Sequence, residues 1–233
     1  MMAGPVFIAL DFPGAEPTRE FLNLFDAAKL KPAVKIGMEL FYATGPDFVR
    51  EIKAAGFPIF LDLKLYDIPN TVAKAVESVA ALGVDYLTLH AAGGPTMLAA
   101  AHQSAPASLK LLAVTQLTSF SETEYQLVSQ SQQTLAQSVV HLSQLSAQAK
   151  VAGVICSAWE AELINQQLPA SFLKITPGIR LTGDDHQDQN RVASPNQAHK
   201  LGSNGIVVGR SITQASDPVA AYQRVVKEWS END

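Results

Sequence analysis

The segment Pro58-Ile59-Phe60-Leu61-Asp62-Leu63-Lys64 reads as a buried strand, helical spacing follows it over Asn70–Leu82, and a second apolar strand follows over Val84–His90. Two strands joined through a helix run in the same direction, which makes a parallel sheet covered by helices. The same alternation extends outward in both directions. Strands read at Val6–Asp11, Ala33–Met38, Pro58–Lys64, Val84–His90, Lys110–Thr115, Val151–Ser157, Phe172–Thr176 and Gly205–Gly209. Helical patterns lie between and after them at Thr18–Lys29, Gly45–Ala55, Asn70–Leu82, Thr96–Gln103, Glu122–Ala149, Trp159–Gln167, Pro195–Leu201 and Pro218–Trp229. Eight such units in 233 residues predict one α/β domain over residues 1–233, a TIM (β/α)8 barrel with parallel strands. A doubly wound open sheet is the competing architecture. Regular repetition and the absence of Gly-x-Gly-x-x-Gly after the first strand speak against it.

Punctuation fits these boundaries. Ser194-Pro195 and Asp217-Pro218 each pair an N-cap residue with proline at the first helical position. Ser121 and Glu124 have capping-box spacing, and Gly56, Gly83 and Gly202 fall where helices stop. The polar stretch Leu181–Arg191 follows the seventh strand, where barrels carry phosphate-binding or lid loops. The Gln/Ser-rich region 129–148 keeps helical spacing through Leu135, Val139, Leu142 and Leu145.

Composition narrows the function classes. The net charge of −5 leaves no basic stripe for nucleic acid and no polybasic membrane patch. The single cysteine, Cys156, excludes an intrachain disulfide and fits a reducing cytosol. The N-terminus lacks a signal-peptide pattern, and no apolar run approaches the ~20 residues of a membrane span, so a cytoplasmic protein is expected.

Barrel active sites lie at the C-terminal strand ends. That rule gathers Asp11, Lys35, Asp62, Lys64, His90, Thr118, the run Pro177-Gly178-Ile179-Arg180 and the run Gly209-Arg210-Ser211. Strand alternation points Asp62 and Lys64 the same way. A charge in a buried strand is costly unless paired, so this acid–ammonium pair reads as chemistry. Lys35 adds a second ammonium and Asp67 a second carboxylate, an alternation that keeps every group charged and one ammonium poised to deliver a proton. Gly209-Arg210, at the start of a short helix after the eighth strand, reads as a phosphate site. Other charged or polar residues read as structural. Lys174 and Lys110 are expected to snorkel to the rim, and Asp85 to be a solvated turn residue. His90 is expected to be a structural histidine and Cys156 a small buried hydrophobe. His102, His141, His186 and His199 lack metal-ligand spacing, so no metal site is expected.

Asp62-Leu63-Lys64-Leu65-Tyr66-Asp67-Ile68-Pro69-Asn70-Thr71 resembles the signature of the orotidine 5′-phosphate decarboxylase family. The resemblance runs along the chain, through Ala9-Leu10-Asp11, Val34-Lys35-Ile36-Gly37, His90-Ala91-Ala92-Gly93-Gly94, Leu117-Thr118-Ser119, Thr176-Pro177-Gly178-Ile179-Arg180, Asp188-Gln189-Asn190-Arg191 and Val208-Gly209-Arg210. It fixes the bacterial type. Asn190 departs from the pattern, standing where that loop more often carries a basic residue.

The resemblance implies decarboxylation of orotidylate to UMP, the final step of de novo UMP synthesis, without metal or organic cofactor. Loss of CO2 leaves a carbanion at C6, which the site must stabilise electrostatically. Lys64 would protonate C6, with Asp62 beside the departing carboxylate. Lys35, Asp67 and Asp11 would complete the charge network and touch ribose hydroxyls. Thr118 would read the pyrimidine edge, and Pro177 would line the base pocket. Arg180, Gln189, Arg210 and the N–H near Gly209 would hold the phosphate, with Leu181–Arg191 as a lid. Asp67, Ile68 and Thr71 would serve the partner's site in a homodimer with two shared active sites. Two alternatives stay open. A Mg2+-dependent sugar-phosphate decarboxylase or aldolase on this barrel would need further carboxylate ligands at the strand ends. A non-catalytic nucleotide-binding barrel would need none of the charged network.

Overall fold

The computed structural model describes residues 4–181 and 192–230. Its strands are β1 (Val6–Ala9), β2 (Ala33–Gly37), β3 (Ile59–Leu65), β4 (Tyr86–His90), β5 (Lys110–Val114), β6 (Gly153–Ile155), β7 (Leu173–Ile179) and β8 (Gly205–Val208). They close in chain order into a parallel barrel, with β1 paired to both β2 and β8. The helices described are α1 (Ala15–Ala27), α2 (Met38–Ala54), α3 (Pro69–Ala80), α4 (Gly94–Ser104), α5 (Glu122–Ser129), α6 (Leu135–Gln148), α7 (Ala158–Asn165), α8 (Pro195–Lys200), α9 (Arg210–Thr213) and α10 (Pro218–Ser230). The expected (β/α)8 architecture is the one observed. Among the described residues no helix is long and apolar enough to cross a membrane.

Alternation along the strands separates two cores. Phe7, Ala9, Phe60, Leu112, Ile175 and Val207 fill the barrel interior. The rings of Phe60 and Tyr86 meet Phe7 edge-on at 5.2 and 5.1 Å and plug its lower half. Intervening residues such as Ile8, Leu61, Leu87, Val154 and Ile206 pack under the helices in the larger core. Burial on both faces explains why these strands read as unbroken apolar runs. Gly153 allows β6 to approach β7 closely, since a Cβ there would meet the Leu173 carbonyl oxygen at 2.3 Å.

The predicted caps form. Ser121 Oγ accepts the Glu124 N–H at 3.2 Å, Ser194 and Gln197 make a reciprocal capping box, and Asp217 accepts the Ala220 N–H at 3.0 Å. Several boundaries differ. The single helix expected over Glu122–Ala149 is two, because Gln130 turns left-handed at φ 50 and Thr134 opens α6 with its own capping box. α2 begins at Met38, directly after β2, and is interrupted at Gly45, whose φ of 75 precedes Pro46. β7 runs on to Ile179, so Pro177 and Gly178 lie within the strand, where the register to β8 shifts.

Two residues differ from their expected roles. Lys174 does not reach the rim: it is 1% exposed, on the helix-facing side of β7. That strand lies beneath α7 and α8, which cover this side chain near the strand's start and cut it off from water. Burial lowers its pKa, with Cys156 partly opposing. Asp85 is a structural clasp at the barrel's lower end, accepting from Lys53 Nζ and the Ile59 N–H, each at 2.7 Å.

Candidate active site

The C-terminal strand ends supply two ion pairs. Lys35, from β2, reaches Asp11 Oδ1 at 2.7 Å, its own side chain only 11% exposed. Gly37 makes room for this lysine, since a Cβ there would lie 3.0 Å from Nζ. Lys64 Nζ donates to Asp62 Oδ2 at 2.8 Å. Both of these residues are on β3, but the strand is not regular here. The pairing with β4 shifts register between Leu61 and Leu65, and Lys64 takes φ 51. Sequence alternation alone therefore does not place the pair. A bulge aims the lysine back at the aspartate, as bulges beside active sites do.

The opposite wall comes from β7 and the start of α9. Gly178, at φ 78, turns the end of β7 so that Arg180 is buried against the cavity. The Arg180 N–H donates to the Ala193 carbonyl at 3.1 Å, and its Nη1 to the Ile179 carbonyl at 3.1 Å. Arg210 opens α9 directly after Gly209.

One cavity gathers Asp11, Lys35, Asp62, Lys64, Thr118, Pro177, Arg180, Gly209 and Arg210. Its remaining lining is largely apolar and includes Phe60, Val114, Ile155 and Val207, with Gln116 tethered to Ser138 Oγ at 3.0 Å. These apolar positions carried no signal distinct from the core. Asp67 and Ile68 on the β3–α3 connection, and Thr71 in the first turn of α3, are exposed and do not line this cavity. The Asp67 carboxylate accepts the Ile68 N–H at 2.6 Å. Gln189, and the lid expected over Leu181–Arg191 apart from Leu181, lie outside the described residues.

His90 packs its ring on Tyr66 at 5.6 Å. Burial lowers its pKa and the Lys64 ammonium lowers it further, against a smaller opposing effect of Asp62. An imidazole so placed is neutral at neutral pH and adds no competing cation beside Lys64. Among the described residues no group of three or more His, Cys, Asp or Glu side chains is placed to hold a metal ion. The cavity thus offers a guanidinium end, an apolar middle and an ammonium–carboxylate wall. That suits an anionic phosphate ester whose reacting carbon lies beside Lys64.

A closed parallel barrel with this charged mouth belongs to the (β/α)8-barrel class of proteins. Residues 4–225 match the Orotidine 5′-phosphate decarboxylase / HUMPS family, and the chain belongs to that family. It is 52% identical over 228 residues to the orotidine 5′-phosphate decarboxylase of Oenococcus oeni, covering 98% of this chain and 100% of the relative. It is 51% identical over 223 residues to that of Streptococcus equi subsp. zooepidemicus, covering 96% of each. The crystal structure of orotidine 5′-phosphate decarboxylase from Lactobacillus acidophilus superimposes with a TM-score of 0.86 at 38% identity, over 97% of this chain and 99% of that one.

Proposed function

We infer that this chain is a carboxy-lyase that converts orotidine 5′-phosphate to UMP, the last step of UMP synthesis. The observation that carries the reading is the Lys64–Asp62 pair, 2.8 Å apart, in one cavity with Arg180 and Arg210. The arginines and the N–H groups near Gly209 take the phosphate, joined by Gln189. Thr118 reads the pyrimidine edge and Pro177 lines the base. Lys35 and Asp11 meet the ribose hydroxyls. C6 then lies beside Lys64.

Heterolysis of the C6–carboxylate bond leaves the electron pair on C6 and releases CO2. The Lys64 ammonium stabilises that developing charge and then gives C6 its proton. Asp62 faces the departing carboxylate and holds Lys64. Phosphate contacts remote from C6 supply binding energy that orients the ring. No metal or organic cofactor takes part in this scheme.

Asp67, Ile68 and Thr71 act in the active site of a second copy, which makes the working unit a homodimer with two shared sites. Their exposure outside their own cavity supports this, as do the exposed apolar side chains Met38, Tyr42, Tyr66 and Ile68 on the segments after β2 and β3. The enzyme works in the cytoplasm on a free nucleotide, with neither nucleic acid nor membrane as partner.

Purified protein mixed with orotidylate in EDTA tests the reading. The near-UV absorbance of orotidylate should fall as UMP accumulates. No fall under EDTA, with recovery on adding Mg2+, would contradict the metal-independent scheme. No fall in either condition would overturn the decarboxylase reading and leave the sugar-phosphate enzyme and the binding barrel, which turnover of sugar phosphates with Mg2+ would separate.

A further inference from the structure

Thr88 is a fully buried hydroxyl on β4, facing the barrel interior one step above Tyr86. Its Oγ1 accepts the backbone N–H of Lys64 at 2.9 Å and donates to Asp62 Oδ1 at 2.8 Å. The directions follow from chemistry. An amide N–H can only donate and an ionised carboxylate can only accept, so the hydroxyl's one proton goes to Asp62.

The bulge creates the need for this hydroxyl. Where the β3–β4 register shifts, between Leu61 and Leu65, the Lys64 N–H leaves the regular ladder. A backbone N–H left there without an acceptor would be costly, and Thr88 supplies the acceptor. The same oxygen engages Asp62 Oδ1, which leaves Oδ2 for Lys64 Nζ at 2.8 Å. Lys64 is therefore held at both ends, backbone and ammonium, through one threonine and one carboxylate.

We propose that Thr88 is a positioning residue: it locks Asp62 in one rotamer and so fixes where the Lys64 ammonium stands. It does not line the substrate cavity, so its effect on the reaction passes through Asp62 and Lys64. The β-branched side chain suits this role because its χ1 is restricted on a strand. Valine keeps the shape and loses both hydrogen bonds. Serine keeps the hydroxyl and loses the methyl group that restricts it.

This inference rests on the reading of Lys64 as proton donor, so Lys64→Ala is measured alongside. For Thr88→Val, kcat on orotidylate is expected to fall about 10- to 100-fold, the scale of a lost hydrogen bond to a charged group. KM should stay within about threefold, because the phosphate and base contacts are untouched. Thr88→Ser should restore most of the turnover. Exchange of the C6 hydrogen of UMP in D2O, which reads proton transfer without CO2 loss, should follow the same order. Thermal melting checks that each variant folds, and Thr88→Ala carries the same prediction if the valine variant does not. An unchanged kcat in Thr88→Val or Thr88→Ala, equal losses in the serine and apolar variants, or a loss confined to KM would each overturn the proposal. If Lys64→Ala is inactive in these cases, the reading of Lys64 survives. If Lys64→Ala turns over normally, that reading falls and the role of Thr88 falls with it.

Discussion

Lys64 places its ammonium 2.8 Å from Asp62 Oδ2 while its own backbone sits at φ 51, outside the regular strand. A non-glycine residue in that region costs about 1–3 kcal/mol and persists only when its surroundings enforce it. Here the enforcement is local, through the register shift to β4 and the side chains that close around it. The energetic cost is concentrated on the residue assigned the proton transfer.

Gly37 tests the placement of the second lysine. A Cβ at this position would stand 3.0 Å from Lys35 Nζ and 3.5 Å from Asp11 Oδ1. The nearest atom is the tip of a flexible chain, so Gly37→Ala should fold and melt nearly as the parent does. Displacing the ammonium should lower kcat/KM by about tenfold or more. An unchanged kcat/KM would show that Lys35 does not act from this position.

Lys174 gives a pH-dependent prediction for stability. Its pKa is lowered below the ordinary lysine value of 10.5, chiefly by burial. Between the lowered folded-state value and 10.5 the unfolded chain holds the proton more readily than the folded one, so this group makes stability rise with pH through that window. At neutral pH, Lys174→Met should therefore raise stability by about 1–2 kcal/mol, a few degrees in Tm. The gain should shrink as the pH approaches 10.5. A lower Tm at neutral pH would mean that the ammonium makes a favourable interaction in the fold.

Shared active sites predict complementation. Lys64→Ala and Asp67→Ala chains, each inactive alone, should regain activity when mixed and allowed to exchange subunits. Random pairing gives about half heterodimers, each with one intact site, so about a quarter of parental activity is expected. Proven exchange without recovery would place Asp67 in its own chain's site.

The barrel was legible because a doubly covered parallel strand must be apolar throughout, and the punctuating residues, from Ser121 to Asp217, mark the helix starts by side-chain chemistry. The charged mouth was legible because Lys35 and Lys64 interrupt otherwise apolar strands. Other features lie in backbone geometry that residue type does not announce. The left-handed turn at Gln130 divides a stretch whose apolar spacing belongs to α6 alone. Lys174 and Lys35 look alike in sequence, but one faces the helix layer and the other the barrel mouth. Thr88 reads as an ordinary strand residue until the bulge in β3 directs a backbone N–H and a carboxylate at it.

Turnover of orotidylate by Lys64→Ala, measured at saturating substrate on protein shown by melting to be folded, bears most directly on the role of the Lys64–Asp62 pair. With Lys64 both stabilising the C6 carbanion and protonating it, kcat should fall by at least about a thousandfold. Turnover within about tenfold of the parent would exceed what general-acid loss permits and would contradict the mechanism.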